Sequence, residues 1–126
     1  MLAEHAQKLD EAVSLLKKAV NFDPQNAAYL DSLAWAYYKQ GQSALAEDYE
    51  RKAALRSNDP TILDHLGEID AKAGRLSQAV DEWQKSLAQY ATSLPPEADP
   101  ADVAKVQRKL ETARVRLAHV NTPKER

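Results

Sequence analysis

The chain has 126 residues, a length that suits one domain with a modest core. Seventeen basic against nineteen acidic residues give a formal net charge of −2, which argues against a protein that grips nucleic acid through bulk charge. The lack of cysteine excludes disulfides, thiolate metal sites and cysteine nucleophiles. No apolar run is as long as a membrane span, and residues 1–5 do not resemble a signal peptide. We therefore expect a soluble chain of unknown compartment, cytoplasmic or, if it is a fragment of an exported protein, periplasmic.

The first half of the chain is rich in helix-forming residues. Residues Met1 to about Ala6 are expected to be the remnant of an inner helix, and Leu9 to about Phe22 its partner. Helices over Ala27–Gln40 and Ser43–Arg56 are predicted to form a hairpin joined at Gly41, because glycine adopts the left-handed conformation that often follows a helix end.

The second half repeats this pattern. Asn58 or Asp59 is expected to cap a helix that Pro60 opens, since proline at the first helical position sacrifices no hydrogen bond within the helix. That helix is predicted to end at Ala73, before a turn at Gly74, and its partner is predicted over Ser77 to about Tyr90.

The last predicted helix starts at Pro100, after a proline-rich segment. Its apolar residues recur every three or four positions and give one narrow seam: Val103, Val106, Leu110, Ala113, Leu117 and Val120. We expect this helix to cap the end of the fold. A coiled-coil seam is the alternative, but the run is short for that structure.

An internal repeat of 33 residues relates the two central helix pairs. The matched positions are Leu30 with Leu63, Asp31 with Asp64, Leu33 with Leu66, and Gly41 with Gly74. One unit at this period cannot bury its own apolar face, so such units are stacked.

The repeats resemble the tetratricopeptide pattern, in which Trp-x2-Leu-Gly-x2-Tyr precedes Ala-x3-Phe and a later Pro. The matching residues are Leu63, Leu66, Gly67, Ala79 and Trp83 in one unit, Leu30, Leu33, Ala34, Tyr37 and Ala46 in the preceding unit, and Ala12, Leu16, Ala19 and Pro24 in a partial first unit. The chain is thus similar to the C-terminal repeats of larger bacterial tetratricopeptide proteins.

This resemblance implies an all-α fold in which antiparallel helix hairpins stack into a right-handed α-solenoid with a C-terminal capping helix. The chain is expected to be one helical-repeat domain. Its predicted parts are a partial first repeat (1–24), a second repeat (27–58), a third repeat (60–90), a proline-rich loop (91–99), the capping helix (100–120) and a tail (121–126).

Two acidic residues depart from the pattern. Glu50 stands where a large aromatic residue is typical, and Asp70 stands where tyrosine is typical. We expect both to lie on solvated helix faces.

The sequence contains no signature of catalysis, so the chain is not expected to be an enzyme or to hold a cofactor or metal. It lacks a GxSxG elbow and a glycine-rich phosphate loop. His65 with Asp64 and Glu68 is the nearest approach to a polar site, but three polar residues on one helix are more often an exposed face. Five basic residues of the last helix are expected to keep its outer face solvated, with an acidic partner or membrane surface as the weaker alternative: Lys105, Arg108, Lys109, Arg114 and Arg116.

In tetratricopeptide proteins the first helix of each pair lines a concave groove that binds extended peptides or partner helices. The resemblance therefore implies a set of partner-binding residues: Asp31, Ser32, Trp35, Tyr38, Lys39, Asp64, His65, Glu68 and Lys72. Helical spacing independently places Asp31, Trp35 and Tyr38 on one face, opposite Leu33 and Tyr37.

Trp35 is either an anchor for a partner or packed against a neighbouring helix, and both interpretations stay open. The unpaired acids Asp31, Asp64 and Glu68 would repel a carboxylate, so a basic or neutral ligand is favoured over one held by its terminal carboxylate. Lys39 and Lys72 could neutralise part of that charge.

The predicted function is a noncatalytic protein–protein interaction module, a scaffold or adaptor that binds a peptide or partner helix in the groove. The alternative is a purely structural repeat segment of a larger protein, or a homodimerisation unit with no groove ligand. Leu15, Leu16 and Val20 are the candidates for self-association, because the helix over Leu9–Phe22 is expected to lack most of its inner partner.

Overall fold

The computed structural model describes residues 2–92 and 99–121, and every element in these ranges is an α-helix. They divide into two compact units, with the boundary between Asn58 and Asp59. The first unit contains α1 (Leu2–Phe22), α2 (Ala27–Lys39) and α3 (Ser43–Arg56). The second unit contains α4 (Pro60–Lys72), α5 (Leu76–Thr92) and α6 (Pro100–Asn121). The helical hairpins predicted from the sequence are therefore confirmed.

Helix α1 corrects one expectation. It runs without a break from Leu2 to Phe22, so the predicted separate segments Met1–Ala6 and Leu9–Phe22 are wrong. The intervening Gln7 and Lys8 are good helix formers, and neither glycine nor proline interrupts the helix. Helix α1 packs on α2, and the Asp10 Oδ1 atom accepts a hydrogen bond of 2.7 Å from the Gln40 side chain at the end of α2.

The two helix hairpins turn in the same way. Gly41 and Gly74 have φ values of 81° and 85°, the left-handed region in which a side chain would be strained. The amide of Gln42 donates to the Tyr37 carbonyl at 2.9 Å, and the glycine amides donate to Tyr38 and Ala71 at 3.0 Å each. These are the paired bonds of a Schellman motif, which satisfies the last carbonyls of the first helix of each hairpin.

Side-chain oxygens cap the N-termini of three helices. The Asn26 side chain accepts from the Tyr29 amide at 3.0 Å, and the Asp59 side chain accepts from the Thr61 amide at 2.8 Å, with Pro60 in the first turn of α4. The Asp99 side chain accepts from the Ala101 amide at 2.8 Å. Each bond satisfies an amide that has no partner within its own helix.

In the first unit, α2 packs against both α1 and α3. The buried apolar residues come from one stripe of each helix: Val13, Leu30, Leu33, Ala34, Ala36, Tyr37, Ala46 and Ala53. The Tyr37 ring also stacks on Tyr49, with the ring centroids 5.7 Å apart. The stripe on α2 is the one predicted from its spacing.

In the second unit, α5 lies in contact with both α4 and α6. A buried cluster joins Ala79 and Trp83 of α5 to Val106, Leu110 and Ala113 of α6. The apolar seam of α6 therefore packs on α5 over much of its length. Its role as a terminal cap stays a prediction.

Some predictions lie outside the described residues, namely most of the loop 91–99 and of the tail 121–126. Within the described ranges, no helix has the length and hydropathy needed to cross a bilayer.

Helices α4 and α5 approach each other closely at Gly67, where the Trp83 ring packs against the glycine. A Cβ atom at this position would lie 2.7 Å from the Trp83 Nε1 atom and 2.8 Å from Cε2, so the indole ring would have to move. Gly67→Ala normally favours a helix, but here we expect it to lower the free energy of unfolding by about 1 to 3 kcal/mol. Urea denaturation would measure the change. The same substitution in a Trp83→Leu background should cost less, and equal costs in both backgrounds would contradict the proposed contact.

Candidate functional site

Helix α2 carries an aromatic surface made by Ser32, Trp35, Tyr38 and Lys39, here called the Trp35 surface. The Trp35 and Tyr38 rings stack with centroids 4.6 Å apart and planes inclined by 12°. The Lys39 Nζ atom lies 5.4 Å from the centroid of the Trp35 ring, within the range of a cation–π contact. Trp35 and Tyr38 are half-buried, whereas Ser32 and Lys39 are exposed. The helical spacing of three and four residues brings these side chains together.

Asp31 is half-buried on the same helix and interacts with Glu50 of α3. Glu50 is fully buried, which contradicts the expectation of a solvated helix face. Burial, followed by the hydrogen bond to Asp31 and the charge of Asp31, together raise the pKa of Glu50 to about 11. Glu50 is therefore protonated at neutral pH and donates to the Asp31 carboxylate.

In the second unit, the predicted site residues Asp64 and Glu68 are bridged by a lysine from α6. The Lys109 Nζ atom lies 3.0 and 3.2 Å from the two Asp64 carboxylate oxygens and 2.6 Å from Glu68 Oε1. Sequence reasoning treated Lys109 as part of a solvated face and the two acids as unpaired, and both of these premises are wrong. The single ammonium group offsets one of the two carboxylate charges, which reduces the negative charge that favoured a basic ligand.

The protonation of Lys109 fits this environment. Burial alone would lower the pKa of Lys109, but hydrogen bonds to Glu68 and Asp64 and their charges outweigh it, and the pKa is raised. The ammonium group is therefore fixed between two carboxylates. It occupies the space that a cation bound to Asp64 and Glu68 would need, which opposes the metal interpretation considered for these acids with His65.

The other predicted residues on α4 differ in exposure. His65 is half-buried and Lys72 is exposed. The four predicted residues of α4 lie on one side of the helix by spacing, and Lys109 joins Asp64 to Glu68.

The 33-residue period gives Glu50 a structural explanation. Glu50 corresponds to Trp83, and Asp31 corresponds to Asp64. In the second unit the Trp83 Nε1 atom donates to Asp64 Oδ1 at 2.9 Å, and in the first unit protonated Glu50 donates to Asp31. Each aspartate thus accepts a hydrogen bond from the residue 19 positions later, although the donor is an indole in one repeat and a carboxylic acid in the other.

Asp70 is the second departure, and it is also fully buried rather than solvated. Its Oδ1 atom accepts a hydrogen bond of 2.9 Å from Arg75 Nε, and its carbonyl accepts one of 2.8 Å from the Arg75 amide. The corresponding pair in the preceding repeat is Tyr37 and Gln42. The ion pair fixes the α4–α5 turn and has a structural role.

The candidates for self-association lie on α1 and differ in exposure. Leu16 and Val20 are half-buried, whereas Leu15 is 65% exposed. Phe22, seven residues after Leu15, is 87% exposed. Because seven residues are about two helical turns, Leu15 and Phe22 lie on one face of α1. Of these two, only Leu15 is among the residues predicted for self-association.

Helix hairpins repeated at 33 residues, with matching turns and matching hydrogen bonds between their helices, define a helical-repeat protein. The chain is 42% identical over 67 residues to a TPR repeat-containing protein of Pseudomonas aeruginosa, a match that covers 53% of this chain and 11% of that protein. It is 33% identical over 84 residues to a TPR repeat-containing protein of Methanocaldococcus jannaschii, covering 65% of this chain and 14% of that protein. The chain therefore spans only a small part of the length of these curated relatives. No protein-family model matches the chain.

Solved structures give the same classification. The crystal structure of PcrH in complex with the chaperone binding region of PopD superimposes with a TM-score of 0.79, at 24% identity, covering 90% of this chain and 84% of that chain. The predicted all-α helical-repeat fold and the resemblance to tetratricopeptide repeat proteins are thus confirmed.

The protonated state of Glu50 predicts a stabilising substitution. Protonating a carboxyl group with an unfolded pKa of 4.5 costs about 3 kcal/mol at pH 7, and a glutamine avoids this cost while keeping a donor for Asp31. We expect Glu50→Gln to raise the free energy of unfolding by up to about 3 kcal/mol at pH 7. Chemical denaturation at several pH values would measure the change.

The raised pKa of Glu50 also determines how the stability gain from Glu50→Gln changes with pH. Because the folded pKa is raised, the stabilising contribution of the protonated carboxyl is complete below pH 4.5 and declines as the pH rises toward 11. The advantage of Glu50→Gln should therefore shrink as the pH falls to 4.5. Asp48→Asn is the matched control, since Asp48 is an exposed acid of the same helix, paired with Lys52 at 3.2 Å, and should change stability by less than about 0.5 kcal/mol. Destabilisation by Glu50→Gln at every pH would contradict a protonated Glu50.

Proposed function

We propose that the chain is a noncatalytic protein-interaction module that binds a peptide or partner helix through the Trp35 surface. The stacked pair of Trp35 and Tyr38 is the observation that carries this proposal. Tryptophan and tyrosine are enriched at binding hot spots, because they offer a large contact area at a low cost in conformational entropy. The two rings already hold each other in place, so a partner would have little further ordering to impose.

The comparisons support the class of function. Proteins with this fold include PcrH, whose structure holds a segment of PopD. A fold alone does not assign a function, so the proposal depends on the chemistry of the surface. The proposed site includes Asp31, Ser32 and Lys39 beside the two rings. Asp64, His65, Glu68 and Lys72 of α4 stay a prediction from the resemblance.

The charges of the described residues favour a neutral partner segment. Lys109 offsets one of the two negative charges of Asp64 and Glu68, and Asp31 accepts a hydrogen bond from Glu50. The only formal charge on the Trp35 surface itself is that of Lys39, which lies over the indole. Of the basic or neutral ligands first considered, we therefore propose a neutral, apolar segment that packs on the exposed parts of the rings.

Photocrosslinking tests the proposal. A benzoylphenylalanine at Ser32, which is exposed beside Trp35, should capture a protein partner in the cell of origin, and the same group at the exposed Lys85 of α5 should not capture it. With the identified segment as a labelled peptide, Trp35→Ala should weaken binding by about 2 kcal/mol, or roughly thirtyfold.

Two further variants separate binding from folding. Trp35→Phe retains an aromatic ring and should retain most of the affinity, whereas Ser32→Arg leaves the core untouched and should block the partner. Unfolding curves would establish that each variant is folded. The proposal fails if both crosslinking positions capture the same proteins, or if folded Trp35→Ala and Ser32→Arg bind as well as the wild type.

The exposed face of α1 favours a second candidate, a homodimerisation unit or structural segment without a ligand at the Trp35 surface. Leu15 and Phe22 together expose two large apolar side chains on this face. Under this alternative, sedimentation over a concentration series should show a dimer that Leu15→Ser converts to a monomer, with Lys8→Ser of the same helix as the control. A monomer at every concentration would exclude the dimer.

A further inference from the structure

The apolar seam of α6 is covered over only part of its length. Val106, Leu110 and Ala113 are buried against α5. One and two turns further on, Leu117 is half-buried and Val120 is 69% exposed. The seam therefore continues beyond the part that α5 covers, and it ends on an accessible apolar surface.

This end of the seam forms one wall of an open groove of about 390 Å³ within the second unit. The opposite wall is the α4–α5 turn and the first turn of α5. The lining residues are Gly74, Arg75, Leu76, Ser77, Gln78, Leu117 and Val120. The volume is at the lower end of the range of ligand pockets and suits one or two large side chains with the adjoining backbone.

The two segments that line the groove are basic. Segments 72–80 and 112–121 contain four basic residues, Lys72, Arg75, Arg114 and Arg116, together with His119, and neither segment contains Asp or Glu. Arg75 is paired with the buried Asp70. Arg114, Arg116 and His119 are exposed on α6. The local excess contrasts with the net charge of −2 of the whole chain.

We propose that this groove binds an acidic protein segment in which a large apolar residue is flanked by carboxylates. The apolar side chain would cover Leu117 and Val120, and the carboxylates would pair with the arginines of α6. The first-turn amides of α5 and its positive end favour the same sign of charge. This surface is separate from the Trp35 surface, so the proposal does not rest on the function proposed above.

The shape of the site favours a peptide over the other polyanions. An apolar side chain can enter a groove, whereas a membrane surface or a nucleic acid backbone presents charge without a protruding apolar group that matches Leu117 and Val120. Electrostatic pairing at the rim would give the site its selectivity for acidic sequences.

Fluorescence anisotropy with designed peptides tests the proposal. The probe is a short fluorescein-labelled peptide with Phe-Leu at its centre and Asp or Glu at the other positions. Its counterparts replace the acids by Asn and Gln or by Lys, or replace Phe-Leu by Gly-Ser. We expect the acidic Phe-Leu peptide to bind at least about tenfold more tightly than each counterpart, and added salt to weaken its binding.

Variants locate the site. Arg114→Glu with Arg116→Glu, and separately Val120→Ser, should each weaken binding of the acidic Phe-Leu peptide about tenfold or more, because the first pair supplies the charge and Val120 the apolar wall. Lys105→Glu is the matched control, since it reverses an exposed basic charge on the same helix outside the groove and should change affinity less than twofold.

Three results would overturn the proposal: equal binding of the acidic and neutral peptides, unchanged binding in the Arg114 and Arg116 variant and in Val120→Ser, or binding of anionic phosphatidylserine vesicles or single-stranded DNA in preference to the acidic peptide. None of these results tests the Trp35 surface, so either proposal can fail without affecting the other.

Discussion

Each helix hairpin of this chain contains a hydrogen bond from its second helix to an aspartate on its first helix. A half-buried aspartate loses part of its contact with water, and a hydrogen-bond donor compensates for that loss. The indole of Trp83 supplies the donor for Asp64, and the protonated carboxyl of Glu50 supplies it for Asp31. The aspartate needs a hydrogen-bond donor but not a particular residue type. An acid can therefore occupy a position where an aromatic residue is typical.

The size of the donor side chain determines which residue fits at the facing position on the first helix of the hairpin. Trp83 fills the space above Gly67 so closely that a Cβ atom there would clash with its ring. The residues that correspond to Gly67 and Trp83 in the preceding repeat are Ala34 and Glu50, a slightly larger residue with a smaller one. The two positions thus vary together in size, as close packing requires. Asp70 and Arg75 likewise replace Tyr37 and Gln42 as a pair, around the same backbone turn.

Much of the fold follows from local signals that can be read in the sequence. The turns at Gly41 and Gly74, the cap at Asp59 and the apolar stripe of α2 all depend on neighbouring residues, and all are confirmed. The break predicted in α1 came from the resemblance to a repeat, whereas the local propensity of Gln7 and Lys8 favoured the continuous helix that is observed.

The ion pairs of the candidate site were harder to predict from the sequence than the fold. Lys109 lies 45 residues from Asp64, and no local pattern indicates that they meet. The burial of Glu50 could be found only by asking which residue corresponds to Trp83 at the repeat period. The pair of Asp70 and Arg75 left a weak signal, because both residues replace uncharged ones on either side of a glycine turn. The resemblance implied the residues of the Trp35 surface, and helical spacing placed Trp35 and Tyr38 on one face with Asp31, but spacing does not reveal that the two rings stack.

The buried acid in α3 also makes the solvent a reactant in folding. At neutral pH an unfolded chain carries Glu50 as a carboxylate and a folded one carries it as an acid, so each folding event removes one proton from solution. The heat of unfolding would then include the ionisation heat of the buffer, and calorimetry in Tris and in phosphate would give different apparent enthalpies for the same transition. Mild acidification unfolds many proteins by protonating paired carboxylates. At Glu50 it would have the opposite effect, because the folded chain already holds this residue as an acid.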